Sequence, residues 1–248
     1  MAQNTEGQRR EQPQITPEDI ERLNSLNERQ RQAVEVVVEH VVQFSKAKAA
    51  MQPGDEPPKQ LKIIVTGTAG SGKSWVLGAI RTLVAFHYND KRAVDVVAPS
   101  GTAAFGADGT TLHSRLKVPA DKRQFYAKIM EPPHKKTIEA LELKKLQVLL
   151  VDEYSMVGHM MLGWMDHCLC YGCGELEQDF GGLAAIVLFG DPGQLPPVGD
   201  RLLWSPLESD PKKLRAAAVK GHMLFKRSVH LHPHIHCLPC PRNGPPRR

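Results

Sequence analysis

Four short apolar runs recur along the chain, and each is followed by turn or polar residues and then by a helical or loop segment. The runs cover residues 61–65, 94–98, 148–151 and 185–189. Continuous apolar runs of this length are typical of parallel strands that are buried on both faces, and helical crossovers join such strands. The pattern therefore predicts an α/β fold in which helices flank a parallel sheet.

Two longer segments have a helical pattern. Residues 23–48 carry apolar side chains at helical spacing and predict an amphipathic helix that begins near Asn27. The segment WVLGAIRTLVAFH, residues 75–87, predicts a second helix directly after a glycine-rich loop. Between residues 117 and 145 the chain is charged and contains two adjacent prolines. We expect a surface excursion there that ends in a helix over EALELKKL, residues 139–146.

The same pattern divides the chain into one principal domain and its flanking segments. Residues 1–20 are polar and lack the apolar surface that would offset the entropy of ordering, so we expect a disordered lead-in. The domain is predicted to span residues 21–200. The strand pattern fades over residues 201–231, and residues 232–248 form an irregular tail of His, Pro, Cys and Arg.

Composition narrows the class of protein without indicating a function. Apolar residues make up 41% and charged residues 24% of the chain, and no apolar run approaches the roughly 20 residues of a membrane span. We expect a soluble, intracellular protein without membrane contact, whose five cysteines are free thiols. The net charge of +5 is compatible with a nucleic-acid partner, but equally with an ordinary basic surface.

The clearest chemical signal is GTAGSGKS, which matches the pattern G-x-x-x-x-G-K-[ST] between an apolar strand and a helix. Glycines let backbone N–H groups surround a phosphate, and the helix points its positive end at the same anion. Lys73 is expected to reach the β- and γ-phosphates of ATP, and Ser74 to ligate Mg²⁺. The alternative is a glycine-rich turn without a nucleotide. The candidate ATP-binding residues are Gly67, Thr68, Ala69, Gly70, Ser71, Gly72, Lys73 and Ser74.

Two later motifs offer the acidic and amide groups that ATP hydrolysis requires. Asp152 and Glu153 follow the third apolar run directly. Asp152 is expected to hold Mg²⁺ and Glu153 to accept a proton from the attacking water. Adjacent carboxylates at a strand end also often just cap the next helix. Gln194, in FGDPGQLPPV, could bond the γ-phosphate or its attacking water, and the prolines stiffen its loop.

The order of these motifs resembles the Pif-type helicases of superfamily 1, with the RecD-type helicases as near relatives. Five motifs between residues 24 and 200 carry the resemblance: LNERQRQAV, GTAGSGKS, VVAPSGTAAFGADGTTLHS, DEYSMV and FGDPGQLPPV. The resemblance implies a RecA-like P-loop domain that uses ATP and Mg²⁺, acts on single-stranded or forked DNA, and bonds the adenine edge through Gln30. It also implies roles in DNA repair, recombination and telomere maintenance, in the nucleus or the mitochondrion.

The DNA assignment depends mostly on this resemblance. In the family, the motif at residues 96–114 lies along single-stranded DNA, which implies contacts from Ser100, Thr102, Phe105, Thr111 and His113. Hydroxyl, imidazole and backbone donors suit phosphate and sugar, and an aromatic ring suits a base. The residues alone equally allow a core contact for Phe105 and a buried, loop-bonded histidine at position 113.

The resemblance ends before a second motor domain, which in such helicases supplies arginines to the transferring phosphoryl group. Residues 221–231, GHMLFKRSVHL, resemble the segment that links the two domains. We therefore expect a fragment, produced by truncation or a gene-model error, that binds ATP with feeble hydrolysis. One alternative is an ATP- and DNA-binding switch without productive turnover, and another is a motor domain from the replication protein of a mobile element.

Cysteine and histidine clusters at two places in the sequence offer candidate metal ligands. Cys168, Cys170 and Cys173 fall at the end of the helix predicted after DEYSM, and they lack an obvious fourth ligand. The tail alternates histidines and adds two cysteines, but we expect no packing there that could support structural zinc. The sequence therefore predicts zinc at neither place.

Overall fold

Six parallel strands form one sheet in the computed structural model, which describes residues 12–139, 141–229 and 235–236. In chain order the strands are β1 (Leu61–Thr66), β2 (Val94–Ala98), β3 (Thr110–Thr111), β4 (Val148–Val151), β5 (Ala185–Gly190) and β6 (Ile235–His236). Their order across the sheet is β3-β2-β4-β5-β1-β6, and all neighbours are parallel. The predicted α/β class is confirmed.

Helices cover both faces of the sheet and connect its strands. The α-helices are α1 (Pro17–Asn24), α2 (Glu28–Ala50), α3 (Lys73–Tyr88), α4 (Gly101–Gly106), α5 (Leu112–Leu116), α6 (Lys122–Phe125), α7 (Lys135–Glu139), α8 (His159–Cys173) and α9 (Ala216–Val229). Shorter 3₁₀ segments cover Lys91–Ala93, Leu143–Lys145, Tyr154–Met156 and Asp179–Gly182.

Strands β1, β2, β4 and β5 are buried on both faces because their alternate side chains enter two separate apolar clusters. In β1, Ile63 and Val65 pack with α2 and α3, whereas Ile64 lies in the cluster that contains α8 and α9. In β4, Leu149 and Leu150 divide between the clusters in the same way. Burial on both sides explains why these strands are mostly apolar, with the half-buried Lys62 and Asp95 as exceptions near the starts of β1 and β2.

The long elements predicted from the sequence are confirmed. The four predicted strands correspond to β1, β2, β4 and β5, of which β1 and β5 extend one residue further. Helix α2 begins after Asn27, whose side chain accepts a hydrogen bond from the Gln30 N–H at 2.9 Å, while the Gln30 side chain accepts from the Asn27 N–H at 3.0 Å. This reciprocal capping box sets the start of the helix.

The predicted helix over residues 139–146 is wrong. Helix α7 ends at Glu139, and Glu142 has a left-handed backbone with φ of 50° before the 3₁₀ turn Leu143–Lys145. In a 3₁₀ turn, side chains three residues apart lie on the same face. The turn therefore buries both Leu143 and Leu146 against the core, which outweighs the helical propensity of this segment.

The disordered lead-in predicted for residues 1–20 is wrong from residue 17 onward, because α1 begins there; residues 1–11 lie outside the described residues. Thr16 and Asp19 form a capping box, and Asp19 also accepts a hydrogen bond from Thr82 of α3 at 2.8 Å. These contacts order a segment that has no buried side chain of its own.

The irregular tail predicted for residues 232–248 is wrong at Ile235–His236, which pair with Val65 and Thr66 of β1; the remaining tail residues lie outside the described part. The open edge of β1 offers unpaired backbone groups for this contact. Within residues 201–231, α9 packs against α8, and its role as a linker stays a prediction. No helix in the described part of the chain is both long and apolar enough to cross a membrane.

Candidate nucleotide-binding site

The strand order brings three polar loops to the same edge of the sheet. Strand β5 lies between β4 and β1, and the loops that follow these three strands leave from their carboxyl ends. The Gly67 N–H donates to the Gly190 carbonyl oxygen at 3.2 Å, which holds the start of the glycine-rich loop against the end of β5. In parallel sheets the carboxyl edge is where ligands bind.

A cleft of about 440 Å³ opens at this edge. It contains residues from the glycine-rich loop, from the acidic pair after β4 and from the loop after β5. The described lining residues are Ala69, Gly70, Gly72, Lys73, Ser74, Trp75, Asp152, Glu153 and Gln194. The fold therefore brings the residues proposed for catalysis together with most of the residues proposed for phosphate binding.

Lys73 is held by the loop that precedes it. Its Nζ donates to the Gly67 carbonyl at 2.7 Å and to the Thr68 carbonyl at 3.1 Å. Gly72, the residue before α3, has φ of 81°, a left-handed conformation that glycine adopts without steric cost. The loop thus curls back on itself and presents the first turn of α3 to the cleft.

The acidic pair is partly buried and strained. Glu153 has a left-handed backbone with φ of 53°, which is uncommon for a residue with a side chain. The Glu153 N–H donates to Asp152 Oδ1 at 3.0 Å. Burial raises the pKa of Asp152 above its ordinary value, and the positive charge of Lys73 partly opposes that change. The alternative in which these carboxylates merely cap the next helix does not fit, because the Glu153 side chain makes no capping hydrogen bond to the 3₁₀ turn Tyr154–Met156 and α8 is capped by Asp200.

Gln194 lies against Glu153. With its amide nitrogen turned toward the carboxylate, Gln194 donates to Glu153 Oε2 at 2.5 Å and to Oε1 at 3.2 Å. Burial, followed by the negative charges of Asp152 and Asp191, raises the pKa of Glu153. A carboxylate with a raised pKa is a stronger proton acceptor than an ordinary one.

Gln30 contacts the glycine-rich loop through Ser71. Its Nε2 donates to the Ser71 carbonyl at 2.9 Å, its Oε1 accepts from Asn27, and the residue is only 3% exposed. The side chain ties the start of α2 to the glycine-rich loop. A contact between Gln30 and an adenine edge stays a prediction.

The candidate DNA-contact residues lie after β2 and around β3, at the same carboxyl edge. Phe105 of α4 is 90% exposed, which rules out the core contact that the sequence left open. The hydroxyls of Ser100 and Thr111 accept from backbone N–H groups at the starts of α4 and α5. Thr102 is exposed. His113 is half-buried beside Phe125, with ring centroids 6.5 Å apart, and burial lowers its pKa.

Two residues of the cleft region were not singled out from the sequence. Asp191 stands in the motif FGDPGQLPPV and adds negative charge near Glu153. Trp75 follows Ser74 directly and lines the cleft. The sequence shows that Trp75 is adjacent to the glycine-rich motif. Helical periodicity, however, does not distinguish it from the other apolar residues of the same helix.

A larger cavity of about 1040 Å³ lies between residues 12–16, α3 and β2. Four of its charged side chains form two ion pairs, Arg81 with Asp108 at 2.9 Å and Arg115 with Asp95 at 2.6 Å. It contains none of the phosphate-loop residues. We therefore assign the candidate nucleotide site to the smaller cleft.

Comparison with known protein families shows to which family this chain belongs. Residues 25–202, which include the glycine-rich loop, the acidic pair and Gln194, match the family model described as PIF1-like helicase. The chain belongs to the PIF1-like helicase family. The match covers the interval in which the sequence motifs resembled that family, so the predicted resemblance is confirmed.

Individual PIF1-like proteins agree with this result. The chain is 32% identical over 141 residues to ATP-dependent DNA helicase Pif1 of Psychrobacter sp. (strain PRwf-1), covering 56% of this chain and 20% of the relative. It is 29% identical over 143 residues to ATP-dependent DNA helicase RRM3 of Saccharomyces cerevisiae, covering 58% and 19%. The chain thus spans about a fifth of the length of these relatives.

A solved structure of Pif1 helicases also resembles this chain. The structure concerns DNA unwinding at forked double-stranded DNA by two coordinating Pif1 helicases. It superposes with a TM-score of 0.52 at 28% sequence identity, over 71% of this chain and 35% of that one. The similarity supports the RecA-like fold of the PIF1-like domain.

Proposed function

We propose that this chain forms the nucleotide-binding motor core of an ATP-dependent DNA helicase. In the proposed reaction, hydrolysis of Mg-ATP drives movement along single-stranded DNA and the unwinding of forked DNA. One observation carries the proposal: the phosphate loop, Asp152, Glu153 and Gln194 line one cleft. Membership of the PIF1-like helicase family supports it. Roles in DNA repair, recombination and telomere maintenance are part of the same proposal.

The proposed phosphate contacts come from the loop and from Lys73. Backbone N–H groups of the loop and the first turn of α3 would bind the β-phosphate. The Lys73 ammonium would move from the Gly67 and Thr68 carbonyls to the β- and γ-phosphates, where it meets a full negative charge. Ser74, exposed in the same turn, completes this wall of the cleft.

The residues present fit a magnesium ion. The Ser74 hydroxyl and the Asp152 carboxylate line the same cleft, and Mg²⁺ prefers oxygen ligands of this kind. The buried Asp152 carboxylate, whose pKa is raised by burial, would be stabilised by a cation. When bound, Mg²⁺ would neutralise negative charge on the β- and γ-phosphates.

Glu153 is the proposed general base. Burial and the neighbouring carboxylates raise its pKa, so it can take a proton from the water that attacks the γ-phosphate. Gln194 donates to this carboxylate and holds its orientation. Gln194 is on the loop after β5. A movement of its amide toward the γ-phosphate would therefore make the conformation of that loop depend on whether the γ-phosphate is present.

The proposed DNA contacts use the exposed surface after β2. Phe105 offers a ring for stacking with a base, and Thr102 offers a hydroxyl for the backbone. Ser100 and Thr111 use their hydroxyls as helix caps, so their contribution would come mainly through the backbone N–H groups that they position. The Phe125 ring packs beside one side of the His113 ring.

A second candidate is an ATP- and DNA-binding module without productive turnover. The observation in its favour is that Lys73 is the single cationic side chain among the described residues that line the cleft. An additional arginine at the transferring phosphoryl group is worth about 10³–10⁵ in rate. A cleft with one lysine would therefore bind ATP well and hydrolyse it slowly.

Mg-ATP hydrolysis by the purified chain, with and without a single-stranded oligonucleotide, tests both candidates. Lys73→Ala should abolish binding and turnover, whereas Lys59→Ala, which removes an exposed lysine outside the cleft, should change neither. DNA-stimulated turnover that is lost only in Lys73→Ala supports the motor. ATP binding with negligible turnover favours the module, and the absence of ATP binding contradicts both.

A further inference from the structure

Tyr126 lies between the candidate DNA-contact residues and the loop that carries Gln194. It follows α6 directly, and its hydroxyl donates to the carbonyl oxygen of Gly199, 73 residues further along the chain, at 2.8 Å. Gly199 stands on the loop after β5, shortly after Gln194. Its φ is 69°, and a Cβ added there would collide with the Tyr126 hydroxyl. The tyrosine therefore contacts the loop closely, at a position whose backbone favours glycine.

The residue before Tyr126 contacts a candidate DNA-binding residue. The Phe125 ring lies beside the ring of His113, with centroids 6.5 Å apart. The same Phe125 ring meets the Tyr126 ring edge to face, with centroids 5.2 Å apart. Aromatic rings in this geometry attract each other beyond the effect of the area they bury. Three rings in succession thus connect the candidate DNA-contact residues with Gly199.

The backbone of the two neighbouring aromatic residues is held from two sides. The buried Trp164 of α8 donates through Nε1 to the Phe125 carbonyl oxygen at 3.1 Å. Arg215, just before α9, donates through Nε to the Tyr126 carbonyl oxygen at 2.8 Å. Because these contacts fix the backbone, a change beside His113 is accommodated by the Phe125 and Tyr126 rings.

The segment between Gln194 and Gly199 is stiff and has few anchors. Of its four residues two are prolines, whose rings fix φ, and the other two are 70% and 92% exposed. A displacement of Gly199 is therefore transmitted along this segment to Gln194. The Gln194 amide contacts the Glu153 carboxylate, so the displacement reaches the proposed general base.

We infer that Tyr126 is a positioning residue that couples single-stranded DNA beside His113 to the nucleotide, through Gly199 and Gln194. The inference rests on the proposed function and deepens it, because it names the side chain through which the two ligands affect each other. A ligand shifts a conformation only through contacts that differ between the two states. The differing contact here is the hydrogen bond from Tyr126 to Gly199. Coupling of this kind is reciprocal, so it can be measured from either ligand.

Equilibrium binding measures the coupling without requiring turnover. The affinity of the full chain for a fluorescein-labelled oligothymidylate is determined by anisotropy, with and without a saturating non-hydrolysable ATP analogue and Mg²⁺. In wild-type protein the two affinities should differ by about fivefold or more. Tyr126→Phe keeps the ring and removes only the hydroxyl. It should therefore bring the ratio of the two affinities closer to one by roughly 2- to 12-fold, the range for loss of one hydrogen bond.

The ratio separates a coupling role from a structural one. A variant that merely loosens the fold weakens DNA binding by the same factor with and without the analogue, which leaves the ratio unchanged. Tyr171→Phe is the matched control, because it removes the hydroxyl of a partly buried tyrosine of α8 and keeps the ring that packs beside His167. It should have the wild-type ratio.

Phe125→Leu interrupts the same contacts from the other side. Leucine fills much of the space but removes the aromatic contacts with His113 and Tyr126, so the ratio should again move toward one. Residues that act in one series are not additive. The double variant Phe125→Leu with Tyr126→Phe should therefore lose no more coupling than the more affected single variant.

Three results would overturn the inference while leaving both binding sites intact. They are a ratio of one in wild-type protein, an unchanged ratio in Tyr126→Phe, and additive losses in the double variant. Failure of wild-type protein to bind the ATP analogue or the oligonucleotide would instead overturn the proposed function together with this inference.

Discussion

At the scale of single residues, the groups of the cleft contact one another. Lys73 donates to two loop carbonyls, and Gln194 donates to the Glu153 carboxylate. These contacts orient the Lys73, Glu153 and Gln194 side chains in the cleft. Preorganised groups of this kind lower the reorganisation that accompanies reaction.

Glu153→Gln should separate binding from chemistry. The amide keeps the shape of the side chain but cannot accept the proton of water, so ATP turnover should fall by about 10²–10⁴-fold, the range for a general base. Affinity for a fluorescent ATP analogue should stay near that of wild type, since Glu153 repels rather than binds phosphate. Turnover at the wild-type rate would exclude Glu153 as the base.

Gly72→Ala should disturb the glycine-rich loop in two ways, through the strain of a positive φ and through a steric clash of the new Cβ. Gly72 has φ of 81°, and a Cβ there would collide with Nε2 of Gln30. Gly54 has φ of 99° with open space around it, so Gly54→Ala carries only the backbone cost of about 1–2 kcal/mol. We expect ATP affinity, measured by calorimetry, to fall in Gly72→Ala alone. Equal affinities in the two variants would argue against the contact.

At the scale of elements, helix α8 depends on a residue far along the chain for its cap. Its N-cap, Gly158, has no side chain, and Asp200 instead accepts from the Met160 N–H at 3.1 Å and the Met161 N–H at 3.0 Å. Asp200 also ends the loop that begins after β5 and carries Gln194. The cap therefore joins the proposed γ-phosphate loop to α8.

Asp200→Ala should lower the free energy of unfolding by about 0.5–2 kcal/mol, because two N–H groups lose their acceptor. Urea denaturation of the variant against wild type measures the change. Glu177→Ala removes an exposed carboxylate and serves as the control, with no expected effect. A variant as stable as wild type would show that water replaces the cap.

The elements also differ in how far their sequence predicts them. Helix α2 and strands β1, β2, β4 and β5 follow from apolar periodicity, because each buries many side chains in its own register. The four- to six-residue helices α4 to α7 bury few side chains, and their bounds depend on caps such as Ser100 and Asp121 and on contacts with other elements. Periodicity over so few residues carries no clear signal.

At the scale of the whole molecule, a histidine pair lies between α8 and α9. His222 Nδ1 is 3.2 Å from Nε2 of the buried His159, whose Nε2 is also 2.9 Å from the Leu203 carbonyl. Burial lowers the pKa of His222 below its ordinary value of 6.5, and the nearby His159 and Lys226 add to this effect. Protonation of His222 is therefore coupled to the packing of these two helices.

His222 should therefore contribute less to the stability of the folded chain as the pH falls below about 6.5. A group whose pKa is lowered by folding binds more protons in the unfolded state than in the folded state. Its contribution to the free energy of unfolding is therefore full above its pKa in the unfolded chain, and it is lost as the pH falls toward its pKa in the folded chain. Urea denaturation at pH 7.5 and 5.5 measures this. His222→Gln should show a smaller loss, with a remainder from His113, whose pKa is also lowered. Equal losses in both proteins would contradict the assignment.

The sequence by itself determined the fold class, the main strands and the positions of the glycine-rich loop and the acidic pair. Each depends on local information: a run of apolar residues, or a motif whose residues act within one turn of chain. These features also carried the resemblance to PIF1-like helicases, which the family match confirmed.

Only the tertiary structure decided which of these features meet. The order β4-β5-β1 places Asp152, Gln194 and Lys73 around one cleft, and strand order is set by the packing of whole elements, which no local spacing encodes. The same holds for the occupied amide of Gln30 and for the hydroxyl of Tyr126, because their partners are 41 and 73 residues away along the chain. A side chain's neighbours at such separations exist only once the sheet and its helices have packed.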